Sequence, residues 1–205
     1  MRQPTSYPPE PVLRAAPAPL TIRERPAHPR NYSRVRRLPT QIRLIVLHCT
    51  DGHEGVTKDD DVAAMFAQGD LEPRRSCHYV VDANSVTRCV PDLLTAWHAK
   101  PKGNRVGIGI EVCGRAKQSR AEWLDALSLP TLQLAARLTA DLCRMYKLPA
   151  QVVNPQGLRL ERSGITTHAF ISQAWKESNH TDPGVGFPLG KFVDAVAAAL
   201  AEPRL

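Results

Sequence analysis

The stretch Gln41-Ile42-Arg43-Leu44-Ile45-Val46-Leu47-His48-Cys49-Thr50-Asp51-Gly52 decides how the rest of the chain is read. Leu44 to Leu47 are aliphatic and partly β-branched, which predicts a short buried strand. His48 follows at its end, just before the turn chemistry of Thr-Asp-Gly. A histidine so placed is held rigidly and faces a cavity built by loops. Two readings stand at this point: a satisfied core histidine, or a metal ligand.

Working outward, Thr57 offers an N-cap for a helix beginning Lys58-Asp59-Asp60-Asp61, whose three acids suit the positive end of a helix dipole. Val62, Met65 and Phe66 follow at helical spacing, and Gly69 is a stop. Ser76 to Val81 reads as a strand, Asp82 to Ser85 as a turn, and Val86 to Val90 as the return strand of a hairpin. Val106-Gly107-Ile108-Gly109-Ile110-Glu111-Val112 is a further strand. Its glycines leave one face bare, where something is expected to approach the backbone closely. Ser119-Arg120-Ala121-Glu122 has capping-box spacing. Leu132, Ala135, Leu138, Leu142 and Met145 mark one face of a long helix ending near Lys147. Gly164 to His168 is a short strand ending in another histidine, and Phe192, Val196 and Leu200 stripe a last helix. Strands alternating with helices predict an α/β domain, a central sheet flanked by helices.

The 205 residues fit one medium domain plus an extension. The chain up to Pro39 holds nine of the eighteen prolines. Residues 1–38 are therefore expected to form an extended arm, docking near Asn31 to Arg37, with the domain at 39–205. The formal charge is +7, and the first forty residues carry eight Arg and two Glu. The basic character thus belongs to the arm, which suits an anionic envelope polymer or is simply solvated. The five cysteines, Cys49, Cys77, Cys89, Cys113 and Cys143, are odd in number and lack a C-x-x-C pair. That argues against a disulfide framework and a cysteine-cluster zinc site, and for a reducing compartment. Met1-Arg2-Gln3-Pro4 opens no apolar signal-peptide core, and no run is long and apolar enough for a membrane span.

Three candidates for chemistry stand on loops or strand ends: His48, His168 and Asp182. Two histidines and a carboxylate with an open fourth position form a catalytic zinc pattern, although their separation in sequence does not by itself establish a site. Glu111 ends an apolar, glycine-rich strand, as an edge residue or as a buried general base. His180 lies two residues before Asp182, near enough to donate a hydrogen bond to the same centre or to cap a turn.

Six segments in order carry a resemblance. They are Ile45 to His48, Ser76 to Val81, Ala96-Trp97-His98-Ala99, Val106 to Glu111, Ile165 to His168, and Thr181-Asp182-Pro183-Gly184. Together they resemble the zinc-dependent N-acetylmuramoyl-L-alanine amidases of the type-2 class, relatives of peptidoglycan-recognition proteins and of phage endolysins. The resemblance covers roughly residues 41 to 200. It implies a mixed central sheet, one Zn2+ held by His48, His168 and Asp182, and Glu111 as catalytic acid–base. His180 stands where the family usually has Lys and is expected to be catalytic in its place, as the oxyanion stabiliser; Cys77 stands where some relatives carry a catalytic Tyr, which places the chain in the glutamate branch. Trp97, His98 and Asn104 are expected at the substrate groove, and His53 and His78 are expected to be structural. The resemblance implies a monomeric enzyme cutting the bond between N-acetylmuramic acid and L-alanine, as a phage endolysin held in the cytoplasm until release. A cytoplasmic amidase recycling muropeptides and a non-catalytic peptidoglycan-binding module are the alternatives. Nucleic-acid binding through the arm is the remaining reading.

Overall fold

Leu44–Cys49 forms a strand in which all six residues are buried. It lies inside the sheet of a computed structural model that describes residues 10–202. The first nine positions, including the start on which the signal-peptide reading rests, lie outside the described residues. In chain order the elements are β1 (Ile22–Glu24), β2 (Tyr32–Ser33), β3 (Leu44–Cys49), α1 (Lys58–Phe66), β4 (Tyr79–Val81), β5 (Val86–Arg88), β6 (Thr95–Ala96), α2 (Lys100–Val106), β7 (Gly107–Val112), α3 (Arg120–Trp123), α4 (Leu129–Tyr146), α5 (Pro155–Arg159), β8 (Gly164–Thr167), α6 (His168–Trp175) and α7 (Leu189–Ala201).

Six strands form one mixed sheet in the order β1-β5-β4-β7-β3-β8, and β2 pairs with β6 outside it. Only the β4–β5 hairpin runs antiparallel; the other four pairings in the sheet are parallel. Side chains alternate across a strand, so β3 and β7 each present two different faces. Ile45, Leu47, Ile108 and Ile110 join Leu132, Leu138, Phe192 and Val196 of α4 and α7 in the main core. Leu44 and Val46 point the other way, into a cluster with Ala99, Leu158 and Ile171. His48 shares the Leu44 and Val46 face; Gly107, Gly109 and Glu111 share it on β7 by the same alternation.

Local chemistry departs from expectation in three places. Thr57 does not cap α1 with its side chain; it sits at φ 63°. The Asp82 carboxylate does the capping instead, accepting from the Lys58 N–H at 2.9 Å. Asp59 is buried and does more than complement the helix dipole, because it accepts from Thr87 at 2.6 Å and pairs with Arg23 at 2.7 Å. Met145 leaves the expected α4 stripe and is 65% exposed. The capping box at Ser119 and Glu122 has both of its hydrogen bonds, and all five cysteines are buried and unpaired.

The arm is knitted into the domain well before Asn31. Ile22–Glu24 adds to β5 as an outer parallel strand, an edge position that tolerates the flanking prolines. Leu13 and Ala27 are buried, and Ala16 N–H donates to Gln133 of α4. Arg23 and Arg25 both pair with Asp60. Arg37 is buried and donates to the carbonyls of Asn104, Arg105, Gly107 and Asp92. Part of the arm's positive charge is thus used internally, while Arg14, Arg30, Arg34 and Arg36 are exposed.

Candidate metal centre

The register of β3 against β7 places His48 directly beside Glu111. Both therefore emerge from the same face at the C-terminal ends of neighbouring parallel strands, where open α/β sheets present their ligand crevices. His168 arrives by a strand-to-helix junction. β8 ends at Thr167, whose hydroxyl accepts from the Phe170 N–H at 3.2 Å, so His168 is the first residue of α6 and not the last of the strand. The loop after α6 brings Asp182, whose carbonyl accepts from the Ala169 N–H at 2.9 Å.

These residues converge on one carboxylate. Asp182 Oδ2 lies 2.9 Å from His48 Nδ1, and Asp182 Oδ1 lies 3.2 Å from His168 Nδ1 and 3.4 Å from His180 Nδ1. The His168 and His180 rings stack, with centroids 4.2 Å apart. Burial works to raise the Asp182 carboxyl, but hydrogen bonds from His168 and His48 outweigh it and hold it far below the usual range. Burial draws His168 and His180 down, towards neutral imidazole. Glu111 behaves oppositely. Burial, and then the charge of Asp182, push it up to about 8. Its Oε2 is buried with no hydrogen-bond partner among the described residues, while the side chain also lines the cleft.

The cleft has a volume of about 810 Å³ and is lined by His48, Glu111, His168, His180 and Asp182, with Trp97, Asn104, Arg74, Arg75 and Lys100 at its walls. Trp97 is half-buried there. Asn104 also has an internal role: its Oδ1 accepts from the backbone N–H groups of His98 and Ala99 at 2.9 and 2.6 Å. His98 lies beneath His48, Nδ1 to Nε2 at 2.9 Å. His78 is buried, and desolvation lowers it to about 3. His53 is exposed and does not line the cleft. Ser178 carries no sequence signal as part of the site, yet its hydroxyl lies 3.4 Å from His168 Nε2.

Two sets of donors meet the spacing of an ion site, and they share His48: His48, His168 and Asp182, and His48, Cys77 and His98. The first fits a divalent ion such as Zn2+ better. It offers two imidazoles and an ionised carboxylate to an open cleft, the donor set of catalytic zinc sites. The second requires a proton to leave Cys77, which is fully buried and whose thiol burial holds well above its usual range.

Residues 38–185 match the N-acetylmuramoyl-L-alanine amidase family. The chain belongs to this family. A probable N-acetylmuramoyl-L-alanine amidase of Bacillus licheniformis is 33% identical over 86 residues, 37% of this chain; the match spans 22% of that relative's length. Among solved structures, the Staphylococcus aureus hydrolase AmiA superposes with a TM-score of 0.66 at 17% identity, over 90% of this chain and 85% of its own. A mutant endolysin from Bacillus subtilis gives 0.59 at 18% identity, over 88% and 99%. At such identities the two structures speak for the fold, the mixed sheet flanked by helices that the sequence leads one to expect. The arm before Leu38 lies outside the family match, although β1 extends the same sheet.

Proposed function

We propose that the chain is a zinc-dependent peptidoglycan amidase, cutting the bond between the lactyl group of N-acetylmuramic acid and the L-alanine of the stem peptide. The observation that carries this reading, beside family membership, is the convergence of His48, His168 and Asp182 on an open cleft, with Glu111 in register on the next strand. One Zn2+ would supply a Lewis acid for the scissile carbonyl and a lowered pKa for the attacking water. Glu111 is the proton carrier. A carboxyl pushed up to about 8 is basic enough to take a proton from water and acidic enough to return it to the leaving L-alanine nitrogen. His180, 55% exposed at the cleft and stacked on His168, donates an N–H to the developing oxyanion. Trp97 forms a wall for sugar or peptide, and Asn104 shapes the same wall by holding the 98–99 backbone.

The preferred substrate in this reading is the polymeric wall, as for a phage or prophage endolysin. The exposed Arg14, Arg30, Arg34 and Arg36 give the arm a cationic surface suited to anionic envelope polymer. No helix among the described residues is long and apolar enough to cross a membrane. Mass spectrometry of digested peptidoglycan, with and without chelator, tests bond and metal together. Stem peptides with new L-alanine amino termini, lost on chelation and regained with Zn2+, are expected. Intact linkages after incubation with the zinc-loaded chain overturn the reading, and cleavage of soluble muropeptides alone overturns the endolysin assignment.

A further inference from the structure

The bare face of β7 is occupied by a histidine. A Cβ built on Gly109 would lie 2.7 Å from both Cγ and Nδ1 of His98 and 2.6 Å from Cys77 Sγ, and one on Gly107 would lie 3.4 Å from His98 Cε1. The His98 ring therefore rests where only glycine leaves room. Its backbone is pinned from the other side by Asn104 Oδ1. The strand beneath is fixed as well, since the Gly109 N–H donates to His78 Nδ1 at 3.0 Å. So seated, His98 meets His48 edge-on, with ring planes at 87° and Nδ1 facing His48 Nε2 at 2.9 Å. Its own Nε2 is buried and has no hydrogen-bond partner among the described residues. The contact to His48 is thus the polar contact that the ring's placement serves.

We propose that His98 is a positioning residue for the metal centre: when an ion takes the place of the proton that His48 Nδ1 shares with Asp182, His98 Nδ1 accepts the Nε2–H of His48, which commits the His48 Nδ1 lone pair to the ion, and Gly109 is the seat that makes the contact possible. The inference rests on the zinc reading above. It changes the expectation for His98, from a substrate contact to a group acting through His48. A neutral imidazole carries one proton, so whatever fixes it on one nitrogen frees the other as a ligand.

Zinc affinity of the full chain, measured by competition with a chromophoric chelator, tests this apart from turnover. Removing such a partner typically weakens metal binding about 10–100-fold. His98→Leu should show that loss with KM little changed. His98→Asn, whose Oδ1 replaces Nδ1 as acceptor, should recover most of the affinity. In case His98→Leu fails to fold, histidine 15N spectra of the zinc-loaded natural chain give an independent reading. His48 should show a metal-bound Nδ1 and a protonated Nε2; the reverse pattern overturns the proposal. So does unchanged affinity in His98→Leu, or a raised KM with unchanged affinity, the signature of a substrate contact. A thiolate charge-transfer band on Co2+ loading, lost in Cys77→Ser, would put the ion in the other donor set and overturn it too. If the natural chain binds no zinc at all, the function fails; if it binds zinc and releases amine ends while His98→Leu is indifferent, only the positioning role fails.

Discussion

The two faces of the β3–β7 pair are built to opposite rules. One face carries Ile45, Leu47, Ile108 and Ile110, all fully buried against α4 and α7. The other begins with Leu44 and Val46, packed in a smaller cluster, and continues with His48, Gly107, Gly109 and Glu111, one of whose carboxylate oxygens has no hydrogen-bond partner among the described residues. Each large aliphatic on the first face contributes about 1.5–3 kcal/mol by leaving water. Beyond Leu44 and Val46 the second gives up such packing: glycines fill no space of their own, and a buried carboxyl resists ionisation. The same backbone thus holds the fold together on one side and holds the groups of the candidate site in unfavourable surroundings on the other. The rigidity of the first face makes the second possible, because the strand that fixes Leu47 also fixes His48.

Substitutions on the two faces should therefore separate activity from stability. The largest expected effect is on the reactive face. Glu111→Gln should lower kcat about 10²–10⁴-fold while zinc content stays near one per chain. Full activity in that variant would remove Glu111 from the mechanism. Asp182→Ala follows, with zinc lost on mild dialysis and turnover lost with it; unchanged metal content would mean that Asp182 is not a ligand. On the opposite face, Leu47→Ala should destabilise the fold by about 2–5 kcal/mol in denaturant unfolding. At temperatures where the variant remains folded, its zinc affinity should stay close to that of the natural chain. A Leu47→Ala protein that kept its stability but lost its metal would erase the distinction between the faces.

How far the sequence reveals this division depends on the range of the contacts involved. The apolar run ending in His48 and the glycine alternation before Glu111 are both local patterns, and both strands form where the patterns lie. That the two are neighbours is not local. Parallel pairing of His48 with Glu111 joins residues far apart in the chain, and no turn residue sets its register. The three metal-ligand candidates were legible as residue types on strand ends and loops, and in their order along the chain, while their convergence on Asp182 is tertiary. The place of His98 shows the same limit. The bare strand face predicted a close approach, but not that a histidine from the preceding loop would fill it. β1 was illegible for a different reason. Ile22-Arg23-Glu24 is too short and too exposed to carry an alternating pattern, and what secures it is the buried Asp59 pairing with Arg23. Thr57 is the simplest miss: a sound capping residue whose role passed to Asp82, a residue from the β4–β5 turn.

The smallest effect expected is also the one that compares the faces most directly. Burial, and then the charge of Asp182, push Glu111 up to about 8 in the folded chain, above the 4.5 of a free carboxyl. Below pH 4.5 the group is protonated whether the chain is folded or not, and it does not alter stability. Between about 4.5 and about 8 the unfolded chain releases the proton that the folded chain retains, so stability falls as pH rises; above about 8 the loss is complete. Full linkage corresponds to about 3 kcal/mol at pH 7, an upper bound that access of the side chain to the open cleft lowers. Glu111→Gln removes the titration while keeping the shape. Its stability gain over the natural chain, measured by urea unfolding in chelator, should be near zero at pH 4.5 and grow towards pH 8. A gain that is flat with pH would mean that Glu111 ionises freely where it stands, and that the reactive face carries no such penalty. A gain that rises with pH, in a variant that has also lost turnover, would locate the cost of the proposed proton carrier in the burial that makes its proton available.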